Sequence, residues 1–261
     1  MTNSKPISFI TGASSGIGAS LSVALSKNGY RIVLFSRNKE KLDMIKNKIE
    51  ENNGEALVIP GDVTDVKSIE NAFKKTIEEW GIPDLLVANA GVCHWVPTEK
   101  MDIKDAQMTI NVNLIGLINT VQTALPYFLK NNGGHIVGIA SVASYRGFPN
   151  LAVYSASKSG IVKYLDGLRA ENYKKGIAVT TICPGFIETP MVTDMYIPKW
   201  VPTPFLLTVE DCTRRIVKAI KKKKSHYAFP FAWSFLGKLG LIMPNSIYVK
   251  VVIPFARWWY S

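Results

Sequence analysis

The 261-residue chain contains few cysteines, and this scarcity excludes several classes of protein. Its three thiols, Cys93, Cys183 and Cys212, are an odd number and form no C-x-x-C pair. We therefore expect no disulfide framework, no metal site of the zinc-cage type, and a reducing, cytoplasmic location. The amino terminus also lacks the long apolar run of a secretory signal, so nothing there predicts export.

Long stretches without charge are also rare. The longest, residues 106–129, carries eight amide and hydroxyl side chains between Gln107 and Thr123. Because these groups would be costly in lipid, we interpret the stretch as a helix of a soluble protein. The composition, with 47% hydrophobic and 20% charged residues, is that of a globular protein and argues against a collagen-like, coiled-coil or disordered chain.

Short apolar runs alternate with segments of helix length along most of the chain. Strands are predicted at residues 7–11, 31–35, 56–59, 85–88, 135–140 and 178–183. This order is typical of a parallel sheet covered by helices on both faces. We therefore predict a single α/β domain of the Rossmann type, with a doubly wound parallel sheet.

The character of the sequence changes near residue 190. Residues 191–207 hold three prolines and many apolar side chains without a regular period, which favours a lid over the sheet. A helix is predicted from Thr208, with Asp211 at the spacing of a capping box. The predicted organisation is a core at residues 1–190, a lid and the following helix at 191–225, and an aromatic extension at 226–261.

The first predicted strand is followed by a glycine-rich turn, Thr11-Gly12-Ala13-Ser14-Ser15-Gly16-Ile17-Gly18, and then by a helix. Dinucleotide pyrophosphates bind in this context, because glycine lets the backbone approach the phosphates and the helix supplies free N–H groups. An ordinary strand-to-helix turn is the alternative. The Gly-x-x-x-Gly-x-Gly spacing resembles that of the short-chain dehydrogenase/reductase family.

Tyr154 and Lys158 are four residues apart, so a helix would place both side chains on one face. Ser141 ends a predicted strand, and Asn113 lies on the helix before that strand. These positions converge at the carboxyl ends of parallel strands, where open α/β sheets bind ligands. A ketone that accepts a hydride needs a proton on its oxygen, and we expect the Lys158 ammonium to lower the pKa of Tyr154 so that it can supply one.

The resemblance to the short-chain dehydrogenase/reductase family extends over residues 7–190. Its motifs are the glycine turn, Asp62-Val63, Asn89-Ala90-Gly91, Asn113, the set Ser141, Tyr154 and Lys158, and Pro184-Gly185 with Thr189. The resemblance implies that Tyr154 exchanges the proton and that Ser141 hydrogen-bonds the substrate oxygen. It further implies that Lys158 binds the nicotinamide ribose and that Asn113 holds a water that relays protons to Lys158.

The same resemblance implies the residues that would bind the cofactor. Asp62 and Val63 would face the adenine, Asn89 to Gly91 would support the sheet beside the cofactor, and Ile187 with Thr189 would hold the nicotinamide carboxamide. The full predicted set is Gly12, Ser14, Ser15, Gly16, Ile17, Gly18, Ser36, Arg37, Asn38, Asp62, Val63, Asn89, Ala90, Gly91, Tyr154, Lys158, Pro184, Gly185, Ile187 and Thr189.

The end of the second predicted strand indicates which nicotinamide is bound. An acidic residue there would bond the adenosine 2′-hydroxyl and repel a 2′-phosphate, but this chain has Ser36-Arg37. Arg37 can pair with a phosphate, aided by Ser36, Ser14 or Asn38, so NADP(H) is favoured over NAD(H). A solvent-exposed arginine without a ligand is the alternative.

Apolar side chains around the catalytic positions predict a lipophilic substrate pocket, formed by Trp95, Phe148, Met191 and Met195. The alternative is that these side chains only pack the lid onto the body. His94 is interpreted as a pocket-wall or surface residue rather than a catalyst.

The carboxyl-terminal quarter is basic and aromatic. Seven basic residues and no acid lie between Arg214 and Lys224, and the chain ends in Trp258-Trp259-Tyr260. This combination favours either peripheral membrane contact through residues 214–261 or a tail that packs on another subunit or over the cleft. Nucleic-acid binding is not expected, because no reading motif accompanies the charge.

The resemblance implies an NADP(H)-dependent oxidoreductase that reduces a carbonyl, and the apolar lid favours a lipophilic ketone. Lid and tail are more similar to lipid-type reductases, such as 3-ketodihydrosphingosine reductases and hydroxysteroid dehydrogenases, than to compact 3-oxoacyl-acyl-carrier-protein reductases. An enzyme of the latter kind, or a dinucleotide-binding protein without turnover, remains an alternative. The resemblance to the family also implies a homodimer or homotetramer, with subunits that contact each other through helices near residues 105–130 and 155–173.

Overall fold

A computed structural model of the chain describes residues 5–193 and 206–251. The strands are β1 (Ile7–Thr11), β2 (Arg31–Ser36), β3 (Ala56–Pro60), β4 (Leu85–Ala88), β5 (Gly134–Ile139), β6 (Ile177–Pro184), β7 (Phe186–Ile187), β8 (Leu206–Leu207) and β9 (His226–Phe229). The α-helices are α1 (Gly16–Lys27), α2 (Lys39–Glu50), α3 (Val66–Glu79), α4 (Ile103–Ile110), α5 (Gly116–Lys130), α6 (Ala152–Asn172), α7 (Pro190–Thr193), α8 (Val209–Lys221) and α9 (Phe231–Ile242). Residues 245–251 are also helical.

Seven strands form one parallel sheet in the order β3-β2-β1-β4-β5-β6-β9. The chain moves outward from β1 to β3 and then returns to place β4 on the other side of β1. Strand order therefore reverses between β1 and β4, and the crevice at their carboxyl ends is where a doubly wound sheet binds ligands. The predicted fold class is confirmed.

Apolar side chains fill both faces of the sheet. One hydrophobic cluster joins β1, β2 and β5 to α3, α5 and α6, with Phe9, Phe73 and Phe128 fully buried. The other joins the sheet to α1, α2 and α8, with Leu21 and Ile216 fully buried. Strands buried on both faces read as continuous apolar runs, which explains why they could be predicted from the sequence.

The uncharged stretch near residue 115 is part of a nearly continuous helix. Helices α4 and α5 are joined by a π-helical segment, Asn111–Ile115, and the 28 residues from Ile103 to Lys130 are long and apolar enough to cross a membrane. However, Leu117, Val121 and Phe128 are buried in the core between the sheet and the neighbouring helices. The stretch is thus a core helix of this domain.

The end of the described chain differs in detail from the predicted organisation. Thr208 caps α8 as predicted, accepting a hydrogen bond from the N–H of Asp211 at 3.1 Å. The first four residues of the predicted aromatic extension form β9, an edge strand paired with β6. This strand was not predicted, because four residues between a lysine run and a proline carry little periodicity. Met195 and Trp258-Trp259-Tyr260 lie outside the described residues.

Candidate active site

The glycine turn leads from β1 into α1 and lines a cleft above the amino end of that helix. Gly12 and Gly16 have φ angles of 66° and 51°, which residues with a Cβ rarely adopt. A Cβ on Gly12 would also lie 2.8 Å from the Cα of Ala90. Ser15 precedes the helix without a side-chain capping bond, and the first turn of α1 contains no acid. The free N–H groups of that turn are therefore available to a phosphate.

Two residues predicted to bind the cofactor also have structural roles. A Cβ on Gly18 would lie 2.2 Å from the carbonyl oxygen of Gly12, so this glycine lets α1 approach the turn and does not line the cleft. Asn38 caps α2, because its Oδ1 accepts a hydrogen bond from the N–H of Lys41 at 2.8 Å. Gly18 ends the glycine-rich turn and Asn38 follows the second strand, and each also serves the packing or capping of a helix.

The end of β2 lies beside the glycine turn. The Ser36 hydroxyl donates to Ser14 Oγ at 2.8 Å, and both residues line the cleft with Arg37. Arg37 is exposed and forms no ion pair with any residue that the structure describes. Two hydroxyls and a free guanidinium at one point form a group of donors that fits a phosphate monoester.

The segment Asn89–Gly91 ties the end of β4 to the glycine turn. Thr11 Oγ1 accepts hydrogen bonds from the N–H groups of Asn89 at 3.0 Å and Ala90 at 3.1 Å. Asn89 Nδ2 donates to the carbonyl oxygen of Thr11 at 3.0 Å. These bonds hold the two strand ends together at the point where strand order reverses.

Tyr154 and Lys158 lie in the first two turns of α6 and face the other end of the same cleft. Lys158 is 4% exposed, and its Nζ donates to the carbonyl oxygen of Ile139 at 2.9 Å. The same Nζ is 5.7 Å from the centre of the Tyr154 ring. Ser141 follows β5 and lines the same cleft, where its hydroxyl lies close enough to the Tyr154 phenol to influence it. Three of the four side chains predicted to converge therefore line this cleft.

Asn113 does not line the cleft but lies directly behind it. Its Oδ1 accepts from the N–H of Val92 at 2.7 Å, and its Nδ2 donates to the carbonyl oxygen of Val92 at 2.9 Å and to Ser157 Oγ at 3.0 Å. A Cβ on Gly91 would come within 3.2 Å of Asn113 Oδ1 and 3.4 Å of Lys158 Nζ. The π-helical segment thus places Asn113 next to Lys158, where its amide fixes the backbone of the cleft wall.

Burial governs the protonation of the two catalytic candidates. It raises the pKa of Tyr154 above its usual value, an effect that the Cys93 thiol reinforces and the nearby Ser141 hydroxyl opposes. Burial also lowers the pKa of Lys158 to about 8. The prediction that Lys158 lowers the pKa of Tyr154 is therefore wrong for this structure: loss of water around the phenol is the larger effect.

Most of the predicted cofactor residues line one cleft of about 280 Å³. From the predicted set it includes Gly12, Ser14, Ser15, Gly16, Ile17, Ser36, Arg37, Asp62, Val63, Asn89, Ala90, Gly91, Tyr154, Lys158, Pro184, Gly185, Ile187 and Thr189, and it also includes the catalytic candidate Ser141. Sequence reasoning missed Gly61, Val92, Val112, Ile139, Ala140 and Pro190. Most of these flank a recognised motif directly, and that adjacency could have identified them.

The side chains predicted to form a substrate pocket are only partly brought to this cleft. Met191 lines it, whereas Trp95 and Phe148 lie outside it, with their ring centres 6.5 Å apart. His94 is held by Thr109 Oγ1, 3.0 Å from its Nδ1, and by Asp105, 3.7 Å from its Nε2. His94 therefore packs against α4 and does not face the catalytic side chains.

The shape and donors of the cleft fit a nicotinamide dinucleotide. One end has a glycine cradle with no room for a Cβ and a free helix amino end, and the other has a phenol, a buried amine and a hydroxyl. These groups follow neighbouring strands of the sheet, whose axes lie about 4.8 Å apart. An elongated ligand with a pyrophosphate in its middle would contact both ends.

Comparisons with known proteins agree with this geometry. The family profile described as short chain dehydrogenase matches residues 6–199. The chain is 34% identical over 222 residues to a glycine betaine reductase of Emericella nidulans. The matched region covers 83% of this chain but only 18% of that longer protein. It is 35% identical over 185 residues to an uncharacterized oxidoreductase of Staphylococcus epidermidis, covering 71% of this chain and 79% of the relative.

Solved structures show the same fold. A short-chain type dehydrogenase/reductase from Mycobacterium marinum superimposes with a TM-score of 0.82 at 24% identity, covering 88% of this chain and 95% of that one. A 3-ketoacyl-ACP reductase from Sinorhizobium meliloti superimposes with a TM-score of 0.78 at 25% identity, covering 88% and 100%. This protein therefore belongs to the short-chain dehydrogenase/reductase family of nicotinamide-dependent oxidoreductases.

Proposed function

We propose that the protein reduces a lipophilic ketone to an alcohol with NADPH, with Tyr154 as the acid and base. The observation that carries the proposal is that Ser141, Tyr154 and Lys158 line the same cleft as the glycine turn. Hydride transfer needs a proton-exchanging group within reach of the cofactor's reactive ring, and the shared cleft supports such a placement.

Tyr154 would hold the proton that the carbonyl oxygen requires. A bound nicotinamide supplies the hydride to the carbonyl carbon. Because burial raises the pKa of Tyr154 above 10, its phenol is protonated at neutral pH, as a proton donor must be. Ser141 lines the cleft beside Tyr154, so its Oγ would orient the substrate oxygen next to the phenol. The reverse reaction needs the phenolate and should gain from alkaline pH.

Lys158 and Asn113 would position the reacting groups. The Lys158 amine donates to Ile139, which fixes its Nζ beneath the cleft, where a ribose hydroxyl would be within reach. Asn113 holds the backbone of Val92 through two hydrogen bonds. The cleft wall beside Lys158 is thus preorganised before any ligand binds.

The preference for NADP(H) is supported by the end of β2. Arg37, Ser36 and Ser14 together offer a cation and two hydroxyls. The position holds no carboxylate that would repel a 2′-phosphate. A charge-assisted hydrogen bond is worth about 1.5 to 3 kcal/mol, which corresponds to about 10-fold to 100-fold in affinity.

The preference for a lipophilic substrate is supported by Met191 in the cleft and by the aromatic pair Trp95 and Phe148 beside it. The second candidate is an enzyme similar to 3-oxoacyl-acyl-carrier-protein reductases. It is favoured by the similarity to the 3-ketoacyl-ACP reductase structure over all of that chain.

The test is a panel of carbonyl compounds assayed with NADPH and with NADH. It should contain long-chain ketones, steroid ketones and 3-oxoacyl thioesters, the last both free and attached to acyl carrier protein. We expect turnover of at least one lipid or steroid ketone, with NADPH preferred. Turnover restricted to the carrier-linked thioester would support the second candidate.

A protein without turnover gives a different result. NADPH would bind, as seen by a change in its fluorescence, yet no compound of the panel would oxidise it. Tight NADH binding with no response to NADPH would contradict the assignment of Arg37.

A further inference from the structure

Helix α9 exposes most of its large apolar side chains, apart from Trp233, which packs against Phe186. Phe231 is 81% exposed and Ile242 is 79% exposed, whereas Ser234 and Gly240 are buried. A surface helix of a globular protein normally has the opposite arrangement. The exposed face therefore fits an apolar partner.

The apolar surface continues beyond α9. In the described chain, sixteen large hydrophobic side chains are exposed, and nine of them lie between residues 231 and 251. These nine are Phe231, Phe235, Leu236, Leu239, Leu241, Ile242, Ile247, Val249 and Val251. We call residues 231–251 the C-terminal helix pair. Exposed apolar patches of this density mark interaction surfaces.

The C-terminal helix pair is fixed in place. The Arg146 guanidinium donates to the carbonyl oxygens of Gly240 and Met243 and to Asn245 Oδ1. It also lies 4.1 Å from the centre of the Tyr248 ring, and the Tyr248 hydroxyl donates to the carbonyl oxygen of Gly147 at 2.6 Å. The apolar face is therefore held outward by specific contacts on its polar side.

Charge discriminates among the possible partners. Between residues 231 and 251 the sequence contains two lysines, no arginine and no acid. Lys238 and Lys250 are exposed on the C-terminal helix pair itself. A symmetric contact between two copies would place the same patch on both sides, so neither lysine would meet an acid of the other copy's patch. A surface that combines anionic groups with an apolar interior would match both features.

We propose that the C-terminal helix pair binds the surface of an anionic lipid bilayer. Phe231, Phe235 and Ile242 would enter the acyl boundary, and Lys238 and Lys250 would lie at the level of the phosphates. The 12 residues of α9 extend about 18 Å, too short for the apolar core of a bilayer, so the helix lies on the membrane and does not cross it.

This surface is separate from the lysine run near residue 222. Lys221–Lys224 precede β9, at the amino end of the strand, whereas α9 begins beyond its carboxyl end. A four-residue strand spans about 13 Å. The apolar face is thus the main contact, and it adjoins the loop that carries Ser141 and Arg146. The proposal does not depend on the proposed reaction.

The test is co-sedimentation of the full chain with vesicles. One set contains equal parts of phosphatidylcholine and phosphatidylserine, and the other contains phosphatidylcholine alone. The triple variant Phe231→Ser, Phe235→Ser, Ile242→Ser should bind the anionic vesicles at least about tenfold more weakly, because each lost side chain removes apolar burial. The matched control is Met44→Ser, Ile103→Ser, Tyr173→Ser, which removes exposed apolar side chains from other faces and should bind as the wild type does.

The charge component has its own variant. Lys238→Glu with Lys250→Glu should weaken binding to the anionic vesicles by about tenfold or more and leave binding to phosphatidylcholine unchanged. All variants should retain the wild-type urea unfolding midpoint, since the altered side chains are exposed.

Three outcomes would overturn the proposal. The first is that the wild type does not bind anionic vesicles, and the second is that both triple variants bind equally. The third is that sedimentation shows an oligomer that the Phe231 triple variant dissociates, without vesicle binding. That result would assign the surface to a contact between copies of the chain.

Discussion

The two ends of the cleft each have a cation, but in opposite surroundings. Arg37 is exposed and forms no ion pair with the described residues, whereas Lys158 is 4% exposed and hydrogen-bonded to Ile139. An exposed guanidinium costs the fold little and is ready for a ligand. A buried amine is disfavoured as a cation, so its pKa falls to about 8. The end of the cleft at Arg37 is therefore suited to binding, and we call it the binding end. The end at Lys158 is suited to chemistry, and we call it the reaction end.

The largest effect on the reaction rate should come from removing the Tyr154 hydroxyl at the reaction end of the cleft. Tyr154→Phe should lower the reduction rate by about 100-fold to 10,000-fold, because positioned proton transfer contributes that much. NADPH affinity, measured by fluorescence titration, should stay within a factor of about three, since the lost group is a hydroxyl at the far end from Arg37. An active Tyr154→Phe enzyme would remove the proton assignment.

Reversing the charge at the binding end should change cofactor choice and not chemistry. Arg37→Asp should weaken NADPH binding by about 10-fold to 100-fold and leave NADH binding nearly constant. Lys41→Asp is the matched control, because it makes the same charge change on an exposed residue of α2 outside the cleft. Equal weakening of both cofactors by Arg37→Asp would contradict a 2′-phosphate site.

Removing the buried amine should stabilise the fold at the expense of activity. The pKa of Lys158 in the folded protein, about 8, lies below its ordinary value of 10.5. Below pH 8 the folded state therefore holds a cation that burial disfavours. The unfavourable free energy of burying this cation disappears as the pH rises from about 8 to 10.5. Over that range the free energy of unfolding increases, because the unfolded chain binds more protons than the folded one.

Lys158→Met should accordingly raise the free energy of unfolding by about 2 kcal/mol at pH 7, after the lost bond to Ile139 is subtracted. The gain should shrink or reverse at pH 10. Urea unfolding at both pH values measures it, with Lys163→Met, an exposed change on the same helix, as the control. A Lys158→Met variant that is less stable at pH 7 would show that the amine is well solvated or well paired.

The smallest effect should come from a hydroxyl at the binding end. Ser14→Ala removes the acceptor of the Ser36 hydrogen bond and one donor to a phosphate. We expect NADPH affinity to fall by about twofold to fivefold with the maximal rate unchanged. A loss as large as that of Arg37→Asp would mean that the hydroxyls, and not the guanidinium, dominate binding.

Sequence reasoning succeeded where a residue's role follows from its place at a strand end. Ser36, Asn89 and Ser141 end or follow buried strands, and parallel strands bring their carboxyl ends to one edge. It did not foresee roles that depend on close packing. A Cβ on Gly18 would lie 2.2 Å from the carbonyl oxygen of Gly12, and Asn38 caps a helix.

Periodicity and motif spacing alone identified the parallel sheet, the glycine cradle and the pairing of Tyr154 with Lys158, because each follows from local geometry along one chain. Three-dimensional packing was needed for the rest. How much water reaches the phenol of Tyr154, which contacts Arg146 makes and which face of α9 stays exposed depend on segments far apart in sequence. Burial sums over all neighbours in space, and no local pattern encodes that sum.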